Sequence, residues 1–270
     1  MRRTARIAIA AWLAAMPWGG AAEEAAPKTE KKAADETPVA GAATPEKLQE
    51  LLKDAEAAAD LDEELKKKIV ELLTQAQAFL QRAGEHRALA ESYKLQLKDA
   101  PARTEEIRAN LKQEPPAEAP IDVPPDATAK TFDQLLDQKR AELAAAKSEL
   151  EKTDGRIKLL QGRPQKAREE QLAAKEKIEE RRKALGASPA AGENPRLTEA
   201  SRLFLQCAIR ARIEEIAMLD QEIVSHPARA DLLAAERDLA ARGVAARQAA
   251  LTKIEEEAAR RRSAEARAVT

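Results

Sequence analysis

The chain has 270 residues, of which 34% are charged and only 2% aromatic, and its 9 glycines are about half of what average usage near 7% would give. Abundant Ala, Glu, Lys, Arg and Leu with so few aromatics describe long helices, and exclude a β-sandwich, a β-barrel or a nucleotide-binding α/β sheet. The 46 basic and 47 acidic side chains leave a formal charge of −1, unlike a nucleic-acid binder, and the single cysteine, Cys207, rules out an internal disulfide or a cysteine-based zinc site.

Residues 1–22 have the order of a secretory signal peptide. Arg2, Arg3 and Arg6 form a positive start, Ile7 to Trp18 is apolar apart from Pro17, and Gly19-Gly20-Ala21-Ala22 supplies small residues before Glu23-Glu24. The apolar run is shorter than the roughly 20 residues a membrane span needs. Cleavage would remove three arginines and no acid, moving the net charge from −1 to −4. The expectation is an exported, periplasmic protein. Residues 23–43 are Ala, Glu, Lys, Pro and Thr with almost no large apolar side chain, which predicts a disordered linker.

A first helical segment is predicted over 44–113. Thr44-Pro45-Glu46 is a helix start, and a short helix should run to about Ala59. From Asp62, residues Leu65, Ile69, Leu72, Ala76, Phe79, Ala83, His86, Ala90, Tyr93 and Leu97 alternate steps of four and three, a heptad seam. Pro101 should kink or interrupt this helix, although Ala100, Thr104, Ile107 and Leu111 keep its register. Five prolines make 114–127 an extended connector.

The remaining segment, 128–270, reads as helical hairpins and a carboxyl-terminal helix pair. Thr131-Phe132-Asp133-Gln134 has capping-box spacing, and Phe132, Leu136, Leu143, Ala146, Leu150, Ile157 and Leu160 fit one seam. Gly162-Arg163-Pro164 is expected to reverse the chain, so that Gln165 to Leu185 returns antiparallel and ends at Gly186. After a loop at 188–195, the stretch Arg196–Val224 is apolar on more than one face, which predicts burial of Ile209, Ile216 and Leu219, with Glu214 exposed. Ser225-His226-Pro227 is the last expected turn. The fold class is therefore all-α: about six helices in elongated antiparallel hairpins, a coiled-coil-like bundle.

Residues able to do chemistry are scarce. His86 and His226 lie in different helical pairs without metal-ligand spacing, and Cys207 stands among apolar neighbours, which favours an inert thiol. Glu105-Glu106 and Glu255-Glu256-Glu257 read as solvated helix faces, and Arg260-Arg261-Arg262 as a tail neutralised by the acids before it. There is no glycine-rich phosphate loop and no Gly-x-Ser-x-Gly elbow. No catalytic, metal or cofactor-binding residue is assigned, no cofactor is implied, and the chain is not expected to be an enzyme.

Three stretches, taken in order, carry a resemblance. They are Ala59-Asp60-Leu61-Asp62-Glu63-Glu64-Leu65-Lys66-Lys67-Lys68 leading through Ala100-Pro101-Ala102-Arg103 to Leu111; the prolines at 115–125 followed by the Ala/Glu/Leu hairpin that turns at Arg163-Pro164; and Asp231-Leu232-Leu233-Ala234-Ala235-Glu236-Arg237-Asp238-Leu239-Ala240-Ala241-Arg242. Over about residues 46–256 the chain resembles the periplasmic helical region of large MscS/MscK-type mechanosensitive channels, also called the MscS porin domain. The resemblance implies a non-enzymatic helical scaffold beside a pore. In that family membrane helices and a pore domain follow; neither occurs through Thr270, so a truncated or standalone module that does not conduct by itself is expected. Partners implied are the chain itself or a channel pore subunit, contacted through helical faces, with a possible envelope contact and neither nucleic acid nor a small-molecule substrate. The alternative is a coiled-coil adaptor of an unrelated periplasmic envelope complex.

Overall fold

A computed structural model describes residues 43–113 and 129–269, all α-helix and short connection without a strand among them. The signal-like segment, nearly all of the 23–43 linker and the 114–127 connector lie outside the described residues. Ala43, assigned to the linker, is buried at the edge of the first core.

Helix α1 spans Pro45–Ala57. The Thr44 hydroxyl accepts from the Lys47 amide at 3.2 Å, and Pro45 occupies the first turn, where its missing N–H costs nothing. Helix α2 runs over Glu63–Lys112, capped by Asp62, whose carboxylate accepts from the Leu65 amide at 2.8 Å. Glu63 and Glu64 face the positive helix end and Lys112 the negative one. Each residue of its predicted seam is buried or half-buried. The helix continues through Pro101, because Ala100 and Thr104 on either side are both 2% exposed and hold the register by packing.

Helix α3 covers Ala129–Gln161, starting two residues ahead of the Thr131 box because Ala129 and Lys130 are themselves good helix formers. Its apolar seam is buried or half-buried throughout. Helix α4, Arg163–Gly186, follows after Gly162 alone. Helix α5 is one 75-residue element, Pro195–Val269, roughly 112 Å long at 1.5 Å per residue.

The ion pairs fix the directions. Arg87 with Glu214, Arg103 with Glu236, and Arg242 with the Asn110 and Gln113 carbonyls place α2 parallel to α5. Asp133 with Arg262, Arg140 with Glu255 and Asp154 with Arg237 place α3 antiparallel to α5. Arg163 with Glu222, and Arg181 with the Ala208 carbonyl, do the same for α4. The topology is up, down, up: α2, then α3 and α4 as one return rod, then α5, which touches all three. The bundle is all-α with five described helices rather than six.

Two expected turns are therefore absent. Gly162 sits at φ −84°, ψ −10°, near the helical region, and Pro164 lies in the first turn of α4, so the chain keeps its direction. A reversal needs a residue outside that region, as in the α4–α5 loop, where Gly192 has φ 82°. At Ser225-His226-Pro227 the helix also continues. Ser225 is fully buried with its hydroxyl donating to the Glu222 carbonyl at 3.1 Å, and this packing just before Pro227 offsets the amide that proline lacks. His226 closes a gap in the neighbouring rod. The Leu160 carbonyl would ordinarily accept from the amide four residues on, which Pro164 does not have; His226 Nε2 lies 3.0 Å from that oxygen. A carbonyl only accepts, so Nε2 carries the proton.

Three apolar clusters lie along α5. The first joins Leu48, Ile69, Leu73, Leu203 and Cys207, with Phe79 and Phe204 edge to face at 5.7 Å. The last joins Phe132, Leu136 and Leu143 to Leu251, Ile254 and Ala258. Between them Ala90, Ala167, Met218 and Leu219 form a thin centre, where small side chains let the helices approach closely. Along Arg196–Val224, Leu219 is 1% exposed, whereas Ile209 and Ile216 are half-buried and Ile213 is 47% exposed. Glu214, expected in solvent, is half-buried against Arg87, because α2 covers the face it stands on.

Candidate functional site

The residues singled out by chemistry are not brought together. His86 stands on the α2 seam near the Arg87–Glu214 pair, with Nδ1 buried and unpartnered. His226 is bound to the Leu160 carbonyl, 12 positions along α5 from Glu214. No cluster of three metal-ligating side chains occurs among the described residues. Cys207 is 1% exposed, and burial pushes its thiol up to about 11, with Arg210 opposing only slightly. The thiol is raised in the folded state, so its contribution to stability is complete below about pH 9 and is lost as pH climbs towards 11, up to roughly 2–3 kcal/mol. At pH 8 native protein should react with a thiol-disulfide reagent at least about a hundredfold more slowly than urea-unfolded protein. Equal rates would mean that the first core is open.

The acidic and basic runs are mutually paired. Glu105 meets Arg108 and Glu255 meets Arg140. Arg260 pairs with Glu256, Arg261 with Glu257, and Arg262 with Asp133 on α3; Arg261 also lies 5.3 Å over the Phe132 ring. The arginine run thus ties α5 to the start of α3.

The strongest polar arrangement stands at the α3–α4 junction. Arg163 donates from Nε and Nη2 to the two Glu222 oxygens at 2.8 and 2.6 Å, and from Nη1 and Nη2 to Glu170 at 3.3 and 3.2 Å. The Glu222 side chain is 6% exposed. These carboxylates, Glu222 first, hold the Arg163 guanidinium even further above its usual value, against the effect of burial. Gln171, next to Glu170, donates to Asp220 at 2.6 Å. The sequence alone reads Arg163 as part of a turn and assigns Glu222 no partner. A signal was present: Glu222 lies three residues after Leu219 and three before Ser225, on the buried stripe of α5, where a charge requires a partner.

Beside this junction a cleft of about 830 Å³ opens between α2, α3 and α5. Ala100, Leu160 and Arg229, close in sequence to Pro101, Gly162 and Pro227, all line it. A smaller cavity of about 380 Å³ lies between α1, α2 and the start of α5.

An all-helical framework tied by ion pairs across its rods, with its cysteine sealed and its histidines separated, defines a packing module. The chain belongs to the mechanosensitive ion channel porin domain family, whose model matches residues 51–270. Membership associates it with mechanosensitive channels. No curated protein and no solved structure matches the chain.

Proposed function

We propose that this chain is a non-enzymatic periplasmic scaffold of a mechanosensitive channel system, one that does not conduct ions by itself. Its partner is a pore subunit of such a channel or a second copy, contacted along helix faces. The family match over 51–270 carries this reading. The signal-like order of residues 1–22 supports export.

Charge placement supports the rest. No described helix is long and apolar enough to cross a membrane. Even the most apolar part of α5 contains Arg210, Arg212, Glu214, Glu215, Asp220 and Glu222. Each charge costs about 2.5–3.5 kcal/mol near a bilayer centre, more than the surrounding Leu and Ile return.

Purified protein lacking residues 1–22, reconstituted into liposomes under patch clamp, should be electrically silent under tension. Reproducible tension-gated currents would overturn the reading. Amino-terminal sequencing of exported material should begin near Glu23; intact Met1 in the cytosol would remove the periplasmic assignment.

A further inference from the structure

We propose that the 830 Å³ cleft between α2, α3 and α5 binds a free single-chain acidic amphiphile, an alkyl chain bearing one carboxylate or phosphate. Its walls are leucine. Leu160 and Leu233 are 7% and 8% exposed, whereas Leu95 and Leu159 stand 61% and 78% exposed where the cleft opens. Arginine dominates the polar lining: Arg103, Arg156, Arg163 and Arg229 against Asp99 and Glu236.

These guanidinium groups differ in how far they are satisfied. Arg163 is committed to Glu222 and Glu170. Arg103 and Arg156 share Glu236, each through one oxygen, at 3.3 and 3.4 Å, so most of their N–H donors stay outside that contact. Arg229 lies 4.7 Å over the Tyr93 ring, and its Nη1 is buried without an acceptor. Arg229 is the one lining guanidinium with no carboxylate partner among the described residues, and a charged acceptor is its strongest complement.

Size and chemistry together select the occupant. The cleft falls within the 300–1,000 Å³ of small-molecule sites, whereas a ten-residue helix about 10 Å across would fill roughly 1,200 Å³. An inorganic anion leaves Leu95 and Leu159 in water, and a neutral lipid leaves the Arg229 charge without a counter-ion. An acidic head with one alkyl chain answers both.

The test is calorimetric titration of the full chain with dodecanoate below its micelle concentration. Tyr93 is the only tyrosine, so ring-labelled protein reports by NMR whether binding occurs beside Arg229. Saturable binding is expected, with the Tyr93 signals shifted and affinity at least tenfold weaker for dodecanol. Arg229→Met and Leu159→Ser should each weaken binding at least tenfold; Leu159 is 78% exposed, so its replacement leaves folding intact. Arg140→Ala, which breaks the α3–α5 pair with Glu255 away from the cleft, should bind as wild type. No saturable binding, equal affinity for dodecanol, or wild-type affinity in Leu159→Ser overturns the proposal. So does equal affinity for inorganic phosphate, or binding confined to phosphatidylglycerol vesicles, which would assign the arginines to a free anion or to a bilayer surface.

Discussion

Replacing Arg163 by alanine is expected to lower the unfolding free energy by about 3–5 kcal/mol, the range for breaking a buried ion pair from one side. The loss comes chiefly from what is left behind. Glu222, with its side chain 6% exposed, would be left without the two hydrogen bonds that now satisfy it. Arg163→Lys should fall between, because an ammonium cannot reproduce the fork that meets both oxygens. The double variant Arg163→Met, Glu222→Leu should regain most of the loss, since apolar replacement of a whole buried pair is often neutral or stabilising. Urea denaturation followed by circular dichroism measures all three. An Arg163→Ala midpoint equal to wild type would show that water, not the fork, satisfies Glu222.

Leu219→Asp is the second large effect, about 4–5 kcal/mol, from an unpaired charge at a position 1% exposed among Ala90, Ala167 and Met218. Ile216→Asp, at a half-buried position, should cost less. Ile213→Asp, on a side chain 47% exposed, should stay within about 0.5 kcal/mol of wild type. The three residues lie within two turns of α5, so the order of their melting temperatures tests which face of that helix is covered. Equal losses at Leu219 and Ile213 would contradict the packing.

Much of this architecture is written in periodicity and caps. The α2 seam from Leu65 to Leu97, the α3 seam from Phe132 to Leu160, the Thr44 cap and the α2 start at Asp62 all stand where the sequence places them. Such signals are local: they state that a face is apolar without stating which way its partner runs. The parallel course of α2 and α5 therefore had no counterpart in the text of the chain. Gly162-Pro164 and Ser225-Pro227 misled for a related reason. Glycine and proline mark weakened backbone, but continuation at both places rests on tertiary contacts, the Ser225 burial and the His226 bond to Leu160. The Arg163–Glu222 pair joins residues 59 positions apart, beyond any local spacing rule; only the placement of Glu222 on an apolar stripe hinted that a partner was required.

The points where proline weakens the three rods flank one cleft, and this has a mechanical corollary. Parallel beams stiffen one another when their joints are staggered; when the joints coincide, compliance gathers in a single plane. Pro101, Pro164 and Pro227 each lack a backbone N–H donor near that cleft, leaving arms on α5 of roughly 48 Å from Pro195 to Pro227 and 63 Å from Pro227 to Val269. Lateral load on either arm should then be converted to rotation at this plane rather than to uniform curvature. Spin-label distances spanning Pro227 are expected to be broader than equal separations within one arm, and equal widths would show a beam of even stiffness. A module built this way transmits angle better than displacement, acting as an elbow between two levers.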